Sequence, residues 1–288
     1  MRDFSVDHRW LSINTATLRT QWPLLRILDE CAARGIRAVS PWRDQVAAAG
    51  LAATAGRLRE TGLQLSGYCR GGMFPGADDA ARRAALDDNR RAVDEAKTLG
   101  APCLVLVVGG LPGALDGRPA HRDIAAARRD VHDGIAATLE YAREVGMPLA
   151  IEPLHPMYAA DRACVNTLAQ ALDLCDALDP SRSGALGVAL DVYHVWWDPK
   201  LQAQIARAGR QRLLALHVCD WRAPTRDLLT DRAMMGDGVI EIPRIRGWVE
   251  AAGYAGFSEV EIFSALDWDR RDGAEVLATC IERHRRCV

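Results

Sequence analysis

A short apolar run followed by a stretch of helical periodicity recurs eight times along this chain. That rhythm constrains the fold more than any other feature. The clearest unit is Leu186-Gly187-Val188-Ala189-Leu190-Asp191, five small or aliphatic residues ending in a carboxylate. A strand with no polar face has to be covered on both sides, as parallel strands are. Strands are predicted over 11–14, 37–40, 63–68, 103–108, 148–152, 186–191, 213–217 and 258–261. Helices are predicted over 24–33, 47–60 and 80–99, closed by Gly35, Gly62 and Gly100. Ile124, Val131, Ile135, Leu139 and Ala142 share one helical face, and Thr167-x-x-Gln170 reads as a capping box. The last three helices are predicted over 199–208, 243–252 and 275–286.

Strands alternating with helices call for a parallel sheet with right-handed crossovers. Eight repeats predict closure into a (β/α)8 TIM barrel, a single domain over 1–288. The length of 288 residues suits this, since such barrels run to roughly 250 residues. An open doubly wound sheet is the rival, but no G-x-G-x-x-G follows the first strand and no P-loop is present.

Charge and composition limit the partners. Lys plus Arg number 36 against 38 for Asp plus Glu, a net charge of -2 with no basic stripe, so no nucleic-acid partner is expected. No apolar run approaches a membrane span, and Met1 to Arg9 is polar and charged rather than a secretory leader. A cytoplasmic protein acting on a small molecule is the expectation. The eight cysteines form no C-x-x-C pair and lie within predicted elements, where Cys behaves as a small hydrophobe with a reduced thiol.

Four successive strands end in a residue that binds metals: Glu152, Asp191, His217 and Glu261. In a barrel all strand C-termini open on one mouth, so these four are predicted to converge. Carboxylates with one imidazole suit a single divalent ion such as Mn²⁺, Mg²⁺, Co²⁺ or Zn²⁺. Any one of them alone would read as a polar loop residue; four in a row do not. His194, Arg222, Trp42 and Tyr68 follow strand ends and are candidate substrate contacts. Trp10, Trp22, Trp196, Trp197, Trp221 and Phe74 read either as aromatic walls of that mouth or as packing. Asp220 is a candidate partner for the His217 ring. His155 is a candidate second base, while His8, His121, His132 and His284 read as surface residues.

Ile151-Glu152-Pro153, Asp191-Val192-Tyr193-His194, His217-Val218-Cys219-Asp220, Gly236-Asp237-Gly238 and Val260-Glu261 together resemble the xylose-isomerase-like barrel superfamily. The resemblance covers nearly the whole chain. It implies a sugar isomerase or ketose 3-epimerase with one divalent ion, usually Mn²⁺, on Glu152, Asp191, His217 and Glu261. By the same resemblance Glu152 and Glu261 are the catalytic acid/base pair on a keto-sugar or related polyol ketone. His194 and Arg222 would contact its oxygens. His155 departs from the epimerase pattern and resembles branches in which a histidine starts a β-elimination, so a metal-dependent lyase or dehydratase is the alternative. A non-enzymatic sugar-binding barrel is disfavoured by the intact ligand set. An endonuclease IV activity is disfavoured because Ser40-Pro41-Trp42, Gly67-Tyr68-Cys69 and Val107-Val108-Gly109-Gly110 lack histidine. A homodimer is expected by analogy alone.

Overall fold

The computed structural model describes residues 2–288, and across them the strands form a nearly closed parallel ring. Its strands are β1 (Leu11–Asn14), β2 (Ala38–Ser40), β3 (Gln64–Leu65), β4 (Tyr68–Gly72), β5 (Leu104–Val107), β6 (Leu149–Ile151), β7 (Leu186–Asp191) and β8 (Leu213–Val218). A small antiparallel ribbon, β9 (Asp220–Trp221) with β10 (Arg232–Ala233), interrupts before the last ring strand, β11 (Ser258–Val260). β3 and β4 are two pieces of one stave. Ser66 N donates to Val39 O and Cys69 N to Pro41 O, both at 3.0 Å, which carries the pairing with β2 across the break. β4 pairs with β5 and β11 with β1, so eight staves go round. This is the predicted TIM barrel.

The helices are α1 (Leu24–Ala33), α2 (Arg43–Ala49), α3 (Leu51–Thr61), α4 (Asp79–Leu99), α5 (Ile124–Val145), α6 (Leu168–Leu178), α7 (Val192–Val195), α8 (Leu201–Arg212), α9 (Ile242–Ala251) and α10 (Gly273–Cys287). The predicted helix 47–60 is two helices, because Gly50 takes φ 90° and turns the chain between α2 and α3. β4 runs on to Gly72, into the predicted loop 71–76, and the helix predicted over 199–208 ends at a break at Gly209, where φ is 59° and ψ -175°. The capping box at Thr167 and Gln170 is formed. No helix among the described residues is long and apolar enough to cross a membrane.

Two cores follow from the period-two alternation of side chains along a strand. Leu11, Ile13, Leu104, Leu106, Leu190 and Val260 point outward and pack under the helices. Inside the ring a second, smaller set fills the axis: Cys69, Cys103, Val105, Ala150, Ala189 and Ala215. These small side chains leave space above them for the polar residues of the mouth. All eight cysteines are free and seven are buried. His284 is not a surface residue: it is buried and stacks on Phe4 at 4.6 Å, with burial pulling its pKa down to about 3.

At the opposite end of the barrel, between α6, α8 and the start of β7, Arg212 is fully buried. Its guanidinium bonds Asp179 Oδ2 and Leu186 O at 2.7 Å and Cys175 O at 3.1 Å. Removing one partner of a buried pair strands the other charge, at a cost of about 3–5 kcal/mol. Asp179→Ala should therefore lower unfolding stability by about that amount in urea titrations. Divalent-ion binding at the far mouth should be retained in protein still folded.

Candidate metal centre and cavity

Glu152 lies one residue beyond β6, Asp191 ends β7, His217 is the fifth residue of β8, and Glu261 lies one residue beyond β11. Two residues earlier on the same inward face stand Ala150, Ala189, Ala215 and Glu259. Asp191 is in register with His217, while His217 is in register with Glu259, two residues before Glu261. All four tip residues are buried, and one ligand atom of each lies within 4.8 Å of every other.

The buried polar atoms point to a cation. Glu152 Oε1 and both ring nitrogens of His217 have no hydrogen-bond partner. His217 Nδ1 approaches Glu152 Oε1 to 3.0 Å and Glu261 Oε2 to 3.9 Å. These atoms are close but not aligned for bonding, as expected of groups facing a common point. Three carboxylates so near each other repel. Burial pushes the Glu261 carboxyl up to about 8, and Glu152 adds to that rise. Burial opposes charge on His217, yet Glu259 and Glu152 carry its pKa well above the ordinary histidine value. A divalent ion would supply the positive charge these residues lack, and a donor set of three carboxylates and one imidazole fits it.

Four residues not singled out in the sequence complete the centre: Arg232, Glu259, Asn14 and Ser66. Arg232, from β10, directs Nη1 to Asp191 Oδ2 at 2.9 Å and to Glu261 Oε2 at 3.1 Å. Although burial acts the other way, this guanidinium holds the Asp191 carboxyl below its usual range. Its carbon lies 4.4 Å from the Tyr193 ring centre and 5.1 Å from that of Phe263. Glu259 stands one layer below the tips, with Oε1 at 3.4 Å from His217 Nε2. Asn14 donates to Glu259 Oε1 at 2.8 Å and to Glu261 Oε1 at 2.9 Å, and Ser66 donates to Glu259 Oε2 at 2.7 Å. A carboxylate behind a ligating imidazole fixes its tautomer and orientation. Arg232 lay in a loop far from any predicted strand; the alternation that puts Glu261 inward was the available signal for Glu259.

Above the tips lies a cavity of about 300 Å³ whose lining includes Trp42, Glu152, His194, Arg232, Glu261 and Phe263. Trp42 Nε1 donates to Asn14 Oδ1 at 2.7 Å, leaving the indole as a wall. The backbone N–H of His155 donates to His194 Nδ1 at 3.2 Å. His194 Nε2 lies 3.2 Å from Arg232 Nη2 and 3.6 Å from Asp191 Oδ2. Burial pulls the His194 pKa down to about 3, so the ring is neutral.

Four expected roles are not supported by position. Tyr68 is fully buried and points away from the axis, its hydroxyl donating to Glu95 on α4 at 3.0 Å. Its neighbour Cys69 points inward, and alternation sends Tyr68 the other way. Arg222 pairs with Asp267 at 3.1 Å and Asp231 at 3.4 Å and does not line the cavity. The ring of His155 stacks on Trp221 at 4.9 Å, and its Nδ1 caps the turn Pro156–Tyr158 by accepting from Met157 N. It also lies outside the cavity lining. Asp220 does not reach the His217 ring; it accepts backbone N–H groups from Gly236, Gly238 and Ile240. A Cβ at Gly238 would lie 2.4 Å from Asp220 Oδ1, which explains the glycine in that loop. Among the tryptophans, Trp22 is core, Trp10 packs on Phe257, and Trp196 and Trp221 pack together. Phe74 is buried against Gly134.

His217 and Glu261 both have raised pKa values, so each must give up protons to ligate a metal. Affinity for Mn²⁺ should thus weaken as pH falls, and calorimetry in buffers of different ionisation enthalpy should register proton release. Glu259→Gln should weaken Mn²⁺ binding roughly 10–100-fold, although Glu259 is not a ligand. Wild-type affinity in that variant would show that His217 is oriented by its strand alone.

Comparison with known proteins agrees with this geometry. Residues 28–283 match the family described as xylose isomerase-like TIM barrel. Protein SMc04130 from Sinorhizobium meliloti 1021 is 59% identical, with a TM-score of 0.91 over 96% of this chain and 98% of that one. The IOLI protein, solved with a bound zinc atom, superposes with a TM-score of 0.77 at 19% identity over 94% of each chain, a likeness of fold. An inosose isomerase of Halalkalibacterium halodurans is 24% identical over 194 residues, 66% of this chain. The match spans 64% of that relative, under two thirds of its length. The chain belongs to the xylose isomerase-like TIM barrel family.

Proposed function

We propose that this protein is a divalent-metal-dependent isomerase or epimerase of a small keto-sugar or related polyol ketone. The observation that carries the reading is the pair Glu152 and Glu261 facing one cavity while sharing a four-residue ligand cluster with Asp191 and His217. The inosose isomerase relative and the zinc-bound structural neighbour support the same class.

Glu152, Asp191, His217 and Glu261 would hold the ion. When bound, it would polarise the substrate carbonyl and so acidify the neighbouring C–H. One of the two glutamates accepts the proton α to the carbonyl, leaving an enediolate. The other returns a proton. Delivery to the opposite face of the same carbon gives an epimer; delivery to the neighbouring carbon gives an isomer. Their common presence in one cavity is what general acid–base transfer needs. His194 lines the cavity beside these carboxylates, and Arg232 keeps Asp191 and Glu261 oriented while contributing positive charge. Trp42 and Phe263, packed edge to face at 5.6 Å, give the ring of a sugar an apolar wall. The lyase alternative needs His155 as base, and its ring stacked on Trp221 is poorly sited for that task.

Deuterium uptake from solvent into a panel of neutral ketoses and inososes tests the reading. Label should enter a recovered sugar without formation of an alkene, and chelation should abolish uptake until Mn²⁺ or Zn²⁺ is restored. Glu152→Gln and Glu261→Gln should each slow exchange by about 10²–10⁴-fold. Wild-type exchange in a Glu261→Gln protein would defeat the assignment.

A further inference from the structure

Four arginines line the cavity: Arg19, Arg70, Arg162 and Arg232. Two are neutralised. Arg232 bonds Asp191 and Glu261, and Arg19 pairs with Asp44 at 3.2 Å while stacking on Trp42 at 5.0 Å. Among the described residues, Arg70 and Arg162 have no carboxylate partner and no side-chain hydrogen bond, though both are half-buried. The Arg162 guanidinium carbon lies 5.9 Å from the centre of the Tyr158 ring.

Arg70 is turned into the cavity by an irregularity of its strand. Along β4 the register with β5 shifts between Cys69 and Gly71, so Arg70 is the extra residue of a bulge. Alternation would send it outward beside an inward Cys69; bulges re-aim side chains and recur next to active sites. Burial lowers the pKa of its guanidinium, and Arg162 acts in the same direction. Glu152 acts the other way on Arg70, but neither arginine forms an ion pair, so two like charges share the mouth. The charge balance agrees. A divalent ion and Arg232 neutralise Glu152, Asp191 and Glu261. Counting buried Glu259 as well still leaves Arg70 and Arg162 with one positive charge in excess.

We infer that Arg70 and Arg162 bind an anionic group of the substrate, a carboxylate or phosphate carried by the keto-sugar away from its reacting carbons. This rests on the isomerase reading for the rest of the substrate. Guanidinium forks match both oxyanions in geometry.

The test is calorimetry on the Mn²⁺-loaded protein with three probes: a neutral hexulose, the corresponding hexuluronate and the hexulose 6-phosphate. At least one anionic probe should bind roughly tenfold or more tightly than the neutral one. The better of the two identifies the anion. Arg70→Met and Arg162→Met should each remove most of that preference, and Arg70→Lys should keep part of it. Circular dichroism screens the variants for folding, and Arg162, on the loop before α6, serves if Arg70 variants misfold. Equal affinity for neutral and anionic probes, or a preference that survives both Met variants, would overturn the inference. Deuterium exchange run in parallel separates the two readings. Exchange into neutral hexulose without anionic preference removes the anion site and keeps the isomerase. Arginine-dependent anion binding without exchange into any probe does the reverse.

Discussion

Glu152, Asp191, Glu261 and, one layer below, Glu259 are gathered on the axis of a ring from which water is excluded. Burying even one ionised carboxylate without a partner is costly, and four together add mutual repulsion. The mouth of the barrel is built to answer that cost with positive charge. His217 stands among the four, Arg232 lies across Asp191 and Glu261, and the remaining demand is that of a divalent ion. Asn14 and Ser66 take up the outer lone pairs of Glu259, so the acid below the centre is fixed as well. Fold and proposed function meet in this balance: the charges that would favour opening the ring are the ones that would draw a cation to it.

The geometry that permits it is the two-residue repeat of a strand. Alanines at 150, 189 and 215 keep the axis narrow below, and the ligands two residues on reach a wider, polar space above. The backbone register pairs Asp191 with His217 and His217 with Glu259, and the tips still converge to within 4.8 Å of one another. The bulge at Arg70, beside the cavity, turns a cation inward without an ion-pair partner.

The isomerase reading and the anion site assign different jobs to the two ends of one cavity. The carboxylates, His194 and Arg232 suit the carbonyl and its α-proton. Arg70 and Arg162 suit an anion elsewhere on the same small molecule, and binding energy from such a remote group can fix the reacting carbons in place.

The barrel and the meeting of Glu152, Asp191, His217 and Glu261 at its mouth were legible in the chain, because both depend on local rules. Apolar runs without a polar face specify covered parallel strands, their alternation with helices specifies crossovers, and equivalent positions at strand ends share one mouth. Contacts between distant loops were not legible. Arg222 and Arg232 look alike in sequence, and only the return of β10 against β9 puts Arg232 on Asp191 while Asp231 and Asp267 draw Arg222 away. Asp220 follows His217 closely but turns to the Gly236–Gly238 loop, and His155 follows Glu152 but packs on Trp221. Strand periodicity sets which way a side chain points; which charge it meets depends on how loops fold back in space, and no local pattern encodes that.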